Sequence, residues 1–149
     1  MKSLFQDEAA ADVLSRIEKL TPTTQRQWGK MNVAHMMAHC STILDVACGN
    51  RAIPRMFLGR LLGRFFLSQL TNDKPMPKNG PTAKHFLVAD EKDFAREKKQ
   101  LLGLVRQFHD GGEEKCTKHP HPFFGPMKAH EWGYEMYKHI DHHLKQFGV

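Results

Sequence analysis

Apolar residues recur along this chain at intervals of three and four, the period of helices, and strand-like alternation is absent over any convincing length. A first helix is expected from Ser3 to Leu20, with Leu4, Ala11, Leu14, Ile17 and Leu20 near one face. Thr21-Pro22-Thr23-Thr24 stops it, because proline disfavours helical geometry in the residue before it. Trp28-Gly29-Lys30-Met31 leads into a second helix with Asn32 as its N-cap, and Gly49-Asn50 supplies a C-terminal signal. Arg51 to Leu70 reads as a shorter, irregular helical stretch broken by Pro54, Gly59 and Gly63, and Lys74 to Pro81 as a loop. From Asp90 to His109 the helical period returns through Phe94, Leu101, Leu104, Val105 and Phe108, and Gly111-Gly112 is expected to end it. A last helix runs from about Met127 to Phe147. Four long helices with short links predict a single all-α domain over 1–149, a four-helix bundle whose crossover carries Arg51–Leu70 as an extra short helical segment.

On the last helix, Trp132, Met136, His139, Ile140, His143 and Phe147 share one arc at about 100° per residue. Glu131, Glu135, Lys138, Asp141, Lys145 and Gln146 are placed outside that arc, so no general base stands out. His139 and His143 therefore sit inside an apolar stripe, and histidines at i and i+4 present two imidazoles to one point. On the second helix His39 falls beside Ile43 and Val46, with His35 one turn earlier near the border of the arc. A histidine among aliphatic side chains must satisfy two ring nitrogens. Metal ligation through one and a hydrogen bond through the other does so, and so does a purely structural imidazole bonded to its neighbours.

Composition changes this picture little. The 149 residues are 40% hydrophobic and 26% charged, which fits a folded domain large enough to bury its own core. Three cysteines, Cys40, Cys48 and Cys116, show neither a paired disulfide framework nor a metal-binding doublet. The N-terminus is acidic where a signal peptide is basic and then apolar. Arg60 and Arg64 interrupt the longest apolar run well short of the roughly 20 residues a bilayer requires. A cytoplasmic chain with reduced thiols and no membrane insertion is the expectation. The net charge of +6 is drawn in good part from Arg51, Arg55, Arg60 and Arg64, in a stretch without an acid from Val46 to Asn72. A bundle face with arginines lying along it, or a dimer contact, explains that stretch better than a membrane or nucleic-acid surface; steering of an anionic substrate stays open. The loop His119-Pro120-His121-Pro122-Phe123-Phe124-Gly125 reads as an apolar plug seating the last helix, with His121 bordering a cavity mouth as the sharper alternative. Cys40, inside the second helix, reads as a small core residue.

The segments WGKMNVAHMMAHC and HPFFGPMKAHEWGYEMYKHIDHHLKQFG together resemble the DinB-like superfamily, closest to a bacterial branch with a W-G-x-M lead-in to the second helix and a closing H-x-x-H-H-x-x-Q-F. The resemblance covers both ends of the chain; the stretch from about Gly49 to Gly112 follows it loosely. It implies a four-helix bundle of up-down-down-up topology with one divalent ion, zinc or nickel, held by His39, His139 and His143. His35 would then line the site or stand just behind a ligand, as would His121, Trp132 and Met136. The implied activity is that of a metal-dependent transferase or hydrolase acting on a small molecule, with a low-molecular-weight thiol such as bacillithiol or mycothiol as a candidate partner. A homodimer is also implied. The competing reading is a non-catalytic metal-binding or stress-response module, and nucleic-acid binding through the arginine stretch is a weaker third.

Overall fold

The structure, a computed structural model, describes residues 1–70, 72, 74–80, 86, 88 and 90–149, the side chains of 68–70 excepted. Among them are five helices and no strand: α1 (Asp7–Glu18), α2 (Val33–Ala47), α3 (Phe57–Leu70), α4 (Phe94–Lys115) and α5 (Ala129–Gln146). None is long and apolar enough to cross a membrane.

Local chemistry sets the ends of these helices. Asn32 adopts extended backbone and its side chain accepts from the His35 N–H, so the expected cap opens α2. Gly49, at φ +78, closes it in the left-handed conformation. Asp93 caps α4 through the Arg96 N–H, three residues later than the sequence pattern placed the start. α4 also outruns its expected end. Gly112 bends the chain (φ 60, ψ −166), but helix resumes to Lys115, so the glycine pair makes a kink rather than a stop. At α5 the Glu131 carboxylate accepts from the Lys128 N–H at 2.6 Å and occupies an otherwise orphaned donor.

α2 packs against α4 and α5, α1 packs against the same two, and α4 meets α5. Their shared core centres on Met36, Leu44, Leu101, Trp132, Met136 and Leu144, all fully buried. An Arg16 guanidinium between α1 and α5 donates to Asp141 at 2.8 Å and to the carbonyl of Val149, fastening the end of α5 to α1.

α3 stands outside that packing and differs from its expectation. Pro54 lies in the non-helical run 51–56, and α3 itself is continuous through Gly59 and Gly63. Both glycines face the backbone of Phe123, closely enough that a Cβ on either would collide with the Phe123 carbonyl oxygen. The side of α3 that touches the rest of the protein is thus its small side. Phe57, Leu58, Leu61, Leu62, Phe65 and Phe66 face solvent, where the sequence pattern suggested a bundle face or a dimer contact.

Candidate metal centre

His39 on α2 and His139 and His143 on α5 come together in the core, each less than a tenth exposed. Their ring centroids form a nearly even triangle of 5.0, 4.9 and 4.8 Å. The two Nε2 atoms of His39 and His139 are 3.0 Å apart, and one ligand nitrogen from each of the three rings lies within 4.8 Å of the others. A tetrahedral ion with metal–nitrogen bonds of about 2.0–2.1 Å holds its nitrogens roughly 3.4 Å apart, so small ring movements fit such an ion.

The far sides of the rings decide which nitrogens are available. His39 Nδ1–H donates to the carbonyl of Phe86 at 3.0 Å, leaving the Nε2 lone pair pointing inward. His143 Nδ1–H donates to Gln146 Oε1 at 2.8 Å, with the same result. Gln146 is itself held: its Nε2 donates to the carbonyl of Trp28 at 2.8 Å, and its own carbonyl accepts from the Gln27 N–H at 2.7 Å. Gly29 lies at φ +80, and a Cβ there would sit 2.5 Å from Gln146 Nε2. The tryptophan–glycine pair before α2 and the glutamine near the chain's end are therefore two halves of one contact behind His143.

Electrostatics keep the rings ready to ligate. Burial lowers the His39 pKa, although the Phe86 hydrogen bond opposes it. Burial, followed by the neighbouring His39 ring, takes His143 down to about 3. His139 is held well below its ordinary value by burial and then by its two partners. All three are neutral at pH 7, the form that metal ligation needs.

His35, at the edge of α2, turns away and bonds the Asp90 carbonyl through Nε2 at 3.1 Å. Trp132 and Met136 lie fully buried on the arc that carries His139 and His143, and the Trp132 indole N–H has no hydrogen-bond partner among the described residues. His121 is buried, not set at a cavity mouth. Its Nδ1 accepts from the Phe123 and Phe124 N–H groups, both at 3.0 Å, and its ring packs on Phe124 and Trp132. The loop thus acts as the plug that seats α5. The Cys40 thiol is fully buried and pushed far up by burial, then by Glu135, which makes it inert as a nucleophile.

Two side chains placed outside the arc of the last helix belong inside. Gln146 is 3% and Glu135 5% exposed. Burial drives the Glu135 carboxyl up to about 8, and its Oε2 has no hydrogen-bond partner among the described residues. Helical spacing held the signal, since Glu135 precedes His139 by four residues and Gln146 follows His143 by three. Nothing in the pattern could have pointed to the Phe86 carbonyl, a backbone atom 47 positions from His39.

A cleft of about 320 Å³ opens beside His142, lined among others by Tyr134, Tyr137, Lys138, Asp141 and Lys145. The ring of His142 lies 5.2 Å from that of His143, so the cleft and the histidine cluster are neighbours.

A helical bundle with three buried histidines able to hold a metal ion is the class these observations define. The family described as protein of unknown function (DUF1569) matches residues 2–148, and the chain belongs to it. No curated protein and no solved structure matches the chain.

Proposed function

We propose that this protein is a metal-dependent enzyme with a DinB-like up-down-down-up bundle, a thiol transferase or hydrolase that acts on a small molecule. One observation carries the reading: three neutral imidazoles converge on one point, and two of them are already oriented from behind by Phe86 and Gln146. Three nitrogen ligands leave a coordination position open, which is the habit of catalytic sites and not of structural ones. Imidazole donors suit zinc and nickel alike. When bound, a divalent ion supplies Lewis acidity that brings a coordinated water or thiol toward its conjugate base near neutral pH. Among the chain's own residues, His39, His139 and His143 hold the ion, and Gln146 fixes the tautomer of His143. The cleft beside His142, with Tyr134 and Tyr137 on its wall, offers room for a small molecule such as a low-molecular-weight thiol next to the histidine cluster.

The test is the metal content of tag-free protein, wild type beside His143→Ala. About one equivalent of zinc or nickel in the wild type, lost in the variant, is the expected result and justifies a thiol-transfer assay. Wild-type protein that holds no metal and takes up neither added ion would reduce the cluster to core imidazoles. The deep burial of all three ligands favours one second reading, a non-catalytic module with a structural ion. In that case stripping the metal collapses the melting temperature, whereas a catalytic ion leaves the bundle nearly as stable.

A further inference from the structure

Among the described residues, two of the three histidines have an acceptor behind them and His139 has none: its Nδ1 is buried and makes no hydrogen bond to any of them. In the metal-free protein this is tolerable, because His39 Nε2 keeps its lone pair and His139 can donate Nε2–H to it across 3.0 Å. Ligation removes that arrangement. All three Nε2 atoms must then turn lone pairs toward the ion, and the single ring proton of neutral His139 has to sit on Nδ1 instead. A buried N–H without an acceptor is costly.

One turn earlier on the same helix face is the acceptor the site lacks. Glu135 is buried, its Oε2 also has no partner among the described residues, and it precedes His139 by the four residues that bring side chains of a helix together. We infer that Glu135 is the positioning residue for His139: when a divalent ion binds, its carboxyl oxygen accepts the His139 Nδ1–H and orients Nε2 toward the ion. The carboxyl offers an acceptor oxygen whether or not it carries a proton, so the contact does not depend on its charge. The ring proton moves from Nε2 to Nδ1 by exchange, and no bond to carbon changes. The two unpartnered atoms are complementary, a donor and an acceptor, and metal binding is the event that pairs them. Phe86, Gln146 and Glu135 thereby become one set, each behind one ligand.

This inference rests on the three-histidine metal reading, and the experiment separates the two. Zinc affinity is measured on the full, tag-free chain by competition with a chromophoric chelator, for wild type, Glu135→Gln and Glu135→Ala. Glu135→Ala is expected to lose affinity about 10–100-fold, the usual consequence of removing a contact behind a metal ligand. Glu135→Gln keeps an acceptor oxygen and stays within a few-fold of wild type. The metal-free melting temperatures of both variants should stay close to that of wild type: Glu135→Gln replaces one buried neutral polar group with another of its size, and Glu135→Ala offsets the loss of an unpartnered carboxyl against a cavity. On ¹⁵N-histidine-labelled protein, zinc loading should add one slowly exchanging ring Nδ1–H proton in wild type, absent from Glu135→Ala. If Glu135→Ala fails to fold, Glu135→Gln and the wild-type spectrum still decide the matter. Equal zinc affinity in all three proteins would overturn the inference, as would equal losses in both variants, a loss that follows a fall in metal-free stability, or no new Nδ1–H on loading. Wild-type protein that takes up neither zinc nor nickel overturns the metal reading itself.

Discussion

α5 and α3 are both amphipathic, yet one hides its apolar arc and the other displays it. Along α5, Trp132, Met136, Ile140 and Leu144 are fully buried, and the histidine pair shares their side of the helix. Along α3, Phe57 is 78%, Leu61 68% and Phe65 64% exposed, while Gly59, Gly63 and Leu67 face inward. The rule that a helix turns its large apolar residues toward the core holds for the first and fails for the second. The reason is local. α3 lies against backbone, the Phe123–Phe124 turn, and only a face without Cβ atoms allows that approach. Where a helix packs on side chains, leucines mark its buried face; where it packs on a main chain, glycines do.

Several changes would break or sharpen this contrast. Trp132→Ala, on the buried seam, should cost about 3–5 kcal/mol in denaturant unfolding, since it empties the centre of the core beside the histidine cluster. Acidification comes next. The folded state refuses a proton on His143 down to about pH 3, while the unfolded chain accepts one near 6.5. Stability is therefore complete above 6.5 and falls as pH drops toward 3, by on the order of 2–4 kcal/mol at pH 4 from this residue alone. Urea titrations at stepped pH check the sign, and stability that rose on acidification would contradict the buried, neutral cluster. Gln146→Ala should weaken zinc binding about 10–100-fold in a chelator competition, by freeing the His143 ring to turn. Its effect on the metal-free bundle should be smaller than that of Trp132→Ala. Least affected is the exposed helix. Replacing Phe57, Leu61 and Phe65 with serine should each shift stability by no more than about 0.5 kcal/mol, the ordinary range for surface positions. If those faces were buried in the folded chain, the cost would approach that of a core truncation.

Asp141 shows how a half-buried charge is kept on the same helix. Burial alone would raise its pKa, but hydrogen bonds from Lys145 and Arg16 outweigh that and hold it below the usual carboxylate range. The contribution of that pair to stability is present at neutral pH and disappears as the carboxylate is protonated in acid. Glu135, with no such partner, is pushed the other way. One turn and a half of helix separates a carboxyl kept ionised from one kept neutral.

By itself, the sequence determined the helical period, the cap at Asn32, the stop at Gly49 and the arc that carries His139 and His143, because these depend on residues within a few turns of each other. The grouping of those two with His39 followed from spacing together with the DinB-like resemblance, and the three rings do lie together. Glu135 and Gln146 were legible in principle, at four residues from His139 and three from His143, but were placed outside the arc, because local pattern cannot tell a solvated side chain from one that a neighbouring element covers. Only the tertiary structure decided the rest. The Phe86 carbonyl behind His39, the Trp28–Gln146 clasp behind His143 and the outward turn of α3 each depend on chain segments far apart in sequence. Periodicity records which face of a helix is apolar. It holds no record of what comes to lie against that face.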